Sequence, residues 1–149
     1  MDDRQKKTAG KPEVLQEELT LQRFVDEGLS QAVVEGEIAL PGGLREETSV
    51  LLSEAMAVLD QSTVEMGRVT AEGKVTFHVL YTQGDPTHVS ALEASAEFSH
   101  PRDLDGAQPG MTAPVSLMVE HVEASAQGGR LHLMAILRVQ CRVLSDEPI

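Results

Sequence analysis

Five histidines, one cysteine and several paired carboxylates are the side chains that could carry chemistry in this chain. Imidazole is the commonest protein ligand for transition metals, and strands of a sheet can bring distant ligands together. None of His78, His88, His100, His121 and His132, however, pairs with another at helix or zinc-ribbon spacing. The local alternation puts His78 and His132 on outward phases of strands, His88 and His100 at loop edges, and His121 on the face of Val119 near a strand end. They read as solvated or singly hydrogen-bonded side chains. Cys141 falls on an apolar strand face with no histidine beside it in sequence, where a thiol acts as a small hydrophobe rather than a nucleophile. Glu17-Glu18, Glu35 with Glu37, and Glu93 with Glu97 have the residue types of acid/base pairs, but each sits among polar neighbours, as on a solvated face. Gly42-Gly43 and Gly128-Gly129 lack the lysine of a phosphate loop and the spacing of a dinucleotide fingerprint, and read as turns. No catalytic, cofactor-binding or metal-ligating residue is assigned, and no cofactor is expected.

The elements that hold these residues follow from composition and pattern. At 149 residues the chain has the length of one domain. Hydrophobic residues make up 41% but aromatics only 3%, with no Trp, so the core must be aliphatic. The lone cysteine rules out an intrachain disulfide and gives no sign of an oxidising compartment. No secretory signal and no apolar run of about 20 residues is present, so membrane insertion is not expected and a cytosolic site fits. The net charge of −12 is unevenly placed: residues 1–12 set Arg4, Lys6, Lys7 and Lys11 against Asp2 and Asp3, a local +2 that leaves −14 on the remainder. So acidic a body repels nucleic acid, while its basic tail has the sign to dock on an acidic neighbouring copy.

Along the chain, Glu13 to Val25 fits both strand and helix periods and is read as strand, with Gly28 as a break. Gln31 to Leu40 alternates Val34, Gly36, Ile38 and Leu40 against polar residues and ends at Pro41-Gly42-Gly43. Residues 46–59 also read as a short helix, being rich in Glu, Ala, Leu and Met, yet Ala55 to Val64 alternates. Gly67 between two β-prone runs marks a tight hairpin. The strand that follows has Val69, Val75, Phe77, Val79 and Tyr81 on one face, and Gly73 in its middle predicts a bulge or a close backbone approach. Beyond a turn at Gln83-Gly84-Asp85-Pro86, Leu92, Ala94, Ala96 and Phe98 share an inward phase, and Ser99 to Gly110 reads as a loop. Val115, Leu117 and Val119 begin another strand. The last and longest runs through Leu131, Leu133, Ala135, Leu137, Val139, Cys141 and Val143. The expected fold is all-β, a two-layer antiparallel β-sandwich with long hairpins. The expected organisation is a tail at 1–12, one β-domain at 13–144 and a C-terminal tail at 145–149.

In order and spacing, Glu35-Gly36-Glu37-Ile38 with Pro41, the hairpin Met66-Gly67-Arg68, Glu72-Gly73-Lys74-Val75 leading to Val79-Leu80-Tyr81, Phe98, Pro109-Gly110-Met111 and the closing run to Val143 resemble the SPOCS domain of spore coat assembly proteins. The likeness covers about residues 13 to 144. It implies a non-enzymatic protein of the mother-cell cytoplasm, deposited at the spore surface. It also implies partners among other spore coat proteins, one of them a SpoIVA-like coat ATPase that an adaptor would recruit. The LysM module that accompanies the domain in some relatives does not follow here, which points toward a stand-alone building block that associates with itself through strand edges. The candidate interaction residues are Arg4, Lys6, Lys7 and Lys11 in the tail, with Arg102 and Asp103 in the Ser99 to Gly110 loop. A small-molecule or metal-binding sandwich using His78 and His132 is the third reading.

Overall fold

Six antiparallel strands account for the fold: β1 (Thr20–Ile38), β2 (Thr48–Glu65), β3 (Arg68–Gln83), β4 (Ser90–Asp103), β5 (Val115–Gln127) and β6 (Arg130–Pro148). They are seen in a computed structural model that describes residues 20–40, 47–127 and 130–148. Two three-stranded sheets form, ordered β1-β6-β5 and β2-β3-β4. They stack so that β1 lies alongside β4, and β2 alongside β5. This is the expected all-β sandwich with long hairpins.

The two central strands carry the core. Val69, Ala71, Val75, Phe77 and Val79 of β3 meet Leu131, Leu133, Ala135, Leu137 and Val139 of β6, all of them buried. Phe77, 1% exposed, and Tyr81, 4% exposed, are the aromatic residues buried in this mainly aliphatic interior. Each fully buried residue of this size contributes roughly 1.5–3 kcal/mol, so the alternation of these two strands fixes which face of each sheet turns inward.

The helix alternative for 46–59 is overturned from Thr48 onward, where the chain is strand β2. Helix propensity amounts to a few tenths of a kcal/mol per residue. It yields here to a ladder that pairs β2 with β3 from Thr48↔Gln83 to Glu65↔Arg68 and packs Val50, Ala55, Ala57 and Leu59 on the core. Two further boundaries differ from the sequence pattern. Gly28 does not break β1, which passes through it paired to Cys141, and β4 continues through Ser99 to Asp103, so the loop after it is shorter than Ser99–Gly110. β6 extends to Pro148, opposite Thr20.

Bulges interrupt three of the four edge strands: at Val25 in β1, at Leu51 and Asp60 in β2, and at Glu120 in β5. Each inserts one residue and so reverses the side-chain phase beyond it. Gly73 is explained by one of them. It stands opposite Leu59, beside the Asp60 bulge, and a Cβ on it would collide with the Val58 carbonyl oxygen and press on the Phe98 ring at 3.1 Å. At the β2–β3 hairpin Gly67 takes a φ of 74°, and its N–H donates to the Ala107 carbonyl at 2.9 Å, locking the tip onto the segment after β4. The tail at 1–12, the stretch 13–19, Pro41-Gly42-Gly43 and Gly128-Gly129 lie outside the described residues.

Candidate interaction surface

The residues with chemical potential are dispersed. His78 stands on the outer face of the β2-β3-β4 sheet, 3.8 Å from Glu93, while His132 stands on the outer face of the other sheet, 3.4 Å from Glu37. They occupy opposite sides of the sandwich and cannot share a ligand. His121 leaves the Val119 face, because the Glu120 bulge turns both residues outward, and its Nε2 bonds the Glu123 carboxylate at 2.8 Å. His88 is exposed beyond the Asp85 turn, where the backbone N–H and hydroxyl of Thr87 both donate to the Asp85 carboxylate and hold it below the usual carboxylate range. Among the described residues no group of three or more His, Cys, Asp or Glu is arranged to hold a metal ion.

His100 is the exception to the outward pattern. Because β4 runs on to Asp103, His100 is an inward strand residue and not a loop-edge one, and its Nε2 lies 2.8 Å from Ser30 Oγ of β1 in the opposite sheet. Two residues on, Arg102 also turns inward, against Gly28 and Leu104, with its Nε buried and without a hydrogen-bond partner among the described residues. Burial, and secondarily the Arg102 charge, push His100 below its ordinary pKa. Burial raises the Cys141 thiol, with Arg102 opposing. Asp103 points outward and accepts from Arg68 Nε at 3.1 Å. The other interaction candidates, Arg4, Lys6, Lys7 and Lys11, fall outside the described residues.

Of the paired carboxylates, Glu37 is shared between Arg130, at 3.2 Å, and His132. With Glu35 and Glu123 it lines an open hollow of about 400 Å³ on the outer face. Glu93 and Glu97 face outward on β4, and Glu17-Glu18 lies outside the described residues. Ser125 and His132, opposite each other in the β5–β6 register, line the same hollow, with the Glu37 carboxylate 3.4 Å from His132 Nδ1.

The feature that sequence reasoning missed is apolar. Leu51 (54% exposed), Leu52 (47%), Met56 (63%) and Val58 (44%) gather on the outward side of the edge strand β2. For Met56 and Val58 the signal was present in the sequence as the second phase of the Ala55 to Val64 alternation, whereas Leu51 and Leu52 precede that run. A strand that shows apolar side chains on both faces has one set left over once the core is built.

The chain is thus a two-layer β-sandwich that carries most of its ionisable groups on its outer faces. The chain belongs to the SPOCS-domain family: the family model described as SipL, SPOCS domain, matches residues 48–127, more than half its length, from the start of β2 to the end of β5. It is therefore a sporulation-related, SipL-like protein. No curated protein and no solved structure matched the chain.

Proposed function

We propose that this chain is a non-enzymatic structural protein of the bacterial spore envelope, made in the mother-cell cytoplasm and laid down at the spore surface, where copies associate with one another. The observation that carries the reading is the β2 stripe of Leu51, Leu52, Met56 and Val58. Apolar residues along one strand, here interrupted by the outward Glu54, are self-complementary about a two-fold axis, since the same face of a second copy covers them. Bare edge pairing is less well supported than contact through this face: bulges break the backbone of β1, β2 and β5, and Pro101 breaks that of β4, the devices by which sheets resist strand addition. Docking of the basic tail on an acidic neighbour adds a second, electrostatic contact in this reading.

Sedimentation of the purified protein over a concentration series tests it. Wild type is expected to form dimers or larger species, and Met56→Glu, which changes an exposed side chain, is expected to weaken association about tenfold or more, the equivalent of roughly 1.4 kcal/mol, without loss of thermal stability. A wild type that stays monomeric throughout overturns the reading. If pull-down from sporulating cells then retrieves a coat ATPase, the adaptor function takes its place.

A further inference from the structure

The two seams of the sandwich are built differently. Where β2 meets the segment leading into β5, the Ser62 hydroxyl donates to the Ala113 carbonyl at 2.8 Å, a bond with no titratable member. The β1–β4 seam is lined by small residues, with Gly36 against Ala96 and Gly28 against Arg102. Its cross-sheet hydrogen bond is Ser30 Oγ to His100 Nε2, at 2.8 Å.

We propose that the β1–β4 seam is a pH-sensitive latch, closed by the Ser30–His100 bond when His100 is neutral and loosened when it takes up a proton beside Arg102. Ser30 Oγ can accept from the protonated ring as it can donate to the neutral one, so charge and not loss of that bond loosens the seam. Its own strand supplies the Arg102 guanidinium, with a buried Nε that has no partner among the described residues. Ser30 of β1 meets the ring and Ala71 of β3 is its register partner, while Arg102 lies against Gly28, whose register partner on β6 is Cys141. The carboxylate of Asp26, further along β1, already accepts from the backbone N–H groups of Glu27 at 2.8 Å and Gly106 at 3.4 Å. Protonation of His100 adds a second positive charge to the space that holds Arg102, and opening the seam lets water solvate both. The outer-face histidines differ in that His78, His121 and His132 each lie beside a glutamate carboxylate.

Cys141 reports on the latch, being the sole cysteine and 1% exposed behind the seam. The experiment measures its labelling by 4,4′-dithiodipyridine, which reacts in acid as well as at neutral pH, from about pH 7.5 to 5, a range that brackets the ordinary histidine pKa. Far-UV circular dichroism is followed in parallel on wild type, His100→Gln and Arg102→Met. Gln keeps a hydrogen-bonding group at the seam but does not titrate. In wild type the labelling rate is expected to rise well above that of His100→Gln as the pH falls, with the strand signal retained. In Arg102→Met the His100 ring, followed by NMR, is expected to titrate at higher pH than in wild type. Equal acid labelling of wild type and His100→Gln, loss of the strand signal together with the labelling, or an unchanged His100 titration in Arg102→Met would each overturn the latch.

Discussion

At the scale of single residues, two inward side chains bound the pH range over which the fold is most stable. His100 has its pKa lowered by burial and by Arg102, so the folded state disfavours its charged form. Its contribution to stability is full above its ordinary value of 6.5 and is lost as the pH falls from there through its lowered folded value. Cys141 has its pKa raised by burial, so its contribution is full below the ordinary 9.0 and is lost as the pH rises through the raised folded value. The expected profile of thermal midpoint against pH is a plateau between these two falls. In His100→Gln the acid-side fall should shrink while the alkaline side stays as in wild type, and calorimetry across the range checks both arms.

At the scale of elements, the β2–β3 pair shows how strand geometry and composition are fitted to each other. The Asp60 bulge pushes the backbone of β2 toward β3, and glycine at position 73 is what leaves room for the Val58 carbonyl and the Phe98 ring. Gly73→Ala is expected to destabilise by about 3 kcal/mol, the upper part of the range for overpacking, because a backbone oxygen cannot rotate away as a side chain can. Chemical denaturation gives that number directly. Gly73 was legible in the sequence as a glycine inside a strand pattern, and Gly67 as a hairpin turn. The bulge itself was not legible, since Asp60 is ordinary by composition and becomes a bulge only against the register of its partner. The same limit explains His121: its phase followed from strict alternation with Val119 until the Glu120 bulge reversed it.

At the scale of the whole molecule, charge and apolar surface pull association in opposite directions. A net charge of −12 on 149 residues makes copies repel, and salt screens that repulsion over about 10 Å at 0.1 M. Contact through the β2 stripe should therefore strengthen as salt is raised, whereas docking of the basic tail on an acidic neighbour should weaken. Light scattering between about 0.05 and 0.5 M salt, a range over which the screening length shortens severalfold, separates the two. For the proposed stripe-mediated assembly, the average mass is expected to rise with salt, and a falling mass would transfer the contact to the tail.

The sequence by itself determined the fold class, the inward faces of β3 and β6, the aliphatic core and the resemblance to the SPOCS family, because period-two alternation is a local property that burial converts directly into a sheet face. Tertiary structure alone decided the rest. That Thr48 to Glu65 is strand, that β4 carries His100 and Arg102 inward to β1, and that Leu51, Leu52, Met56 and Val58 are left outside all depend on which strand lies next to which. Residues as far apart as Ser30 and His100 meet only when two sheets stack, and no spacing along the chain encodes that distance.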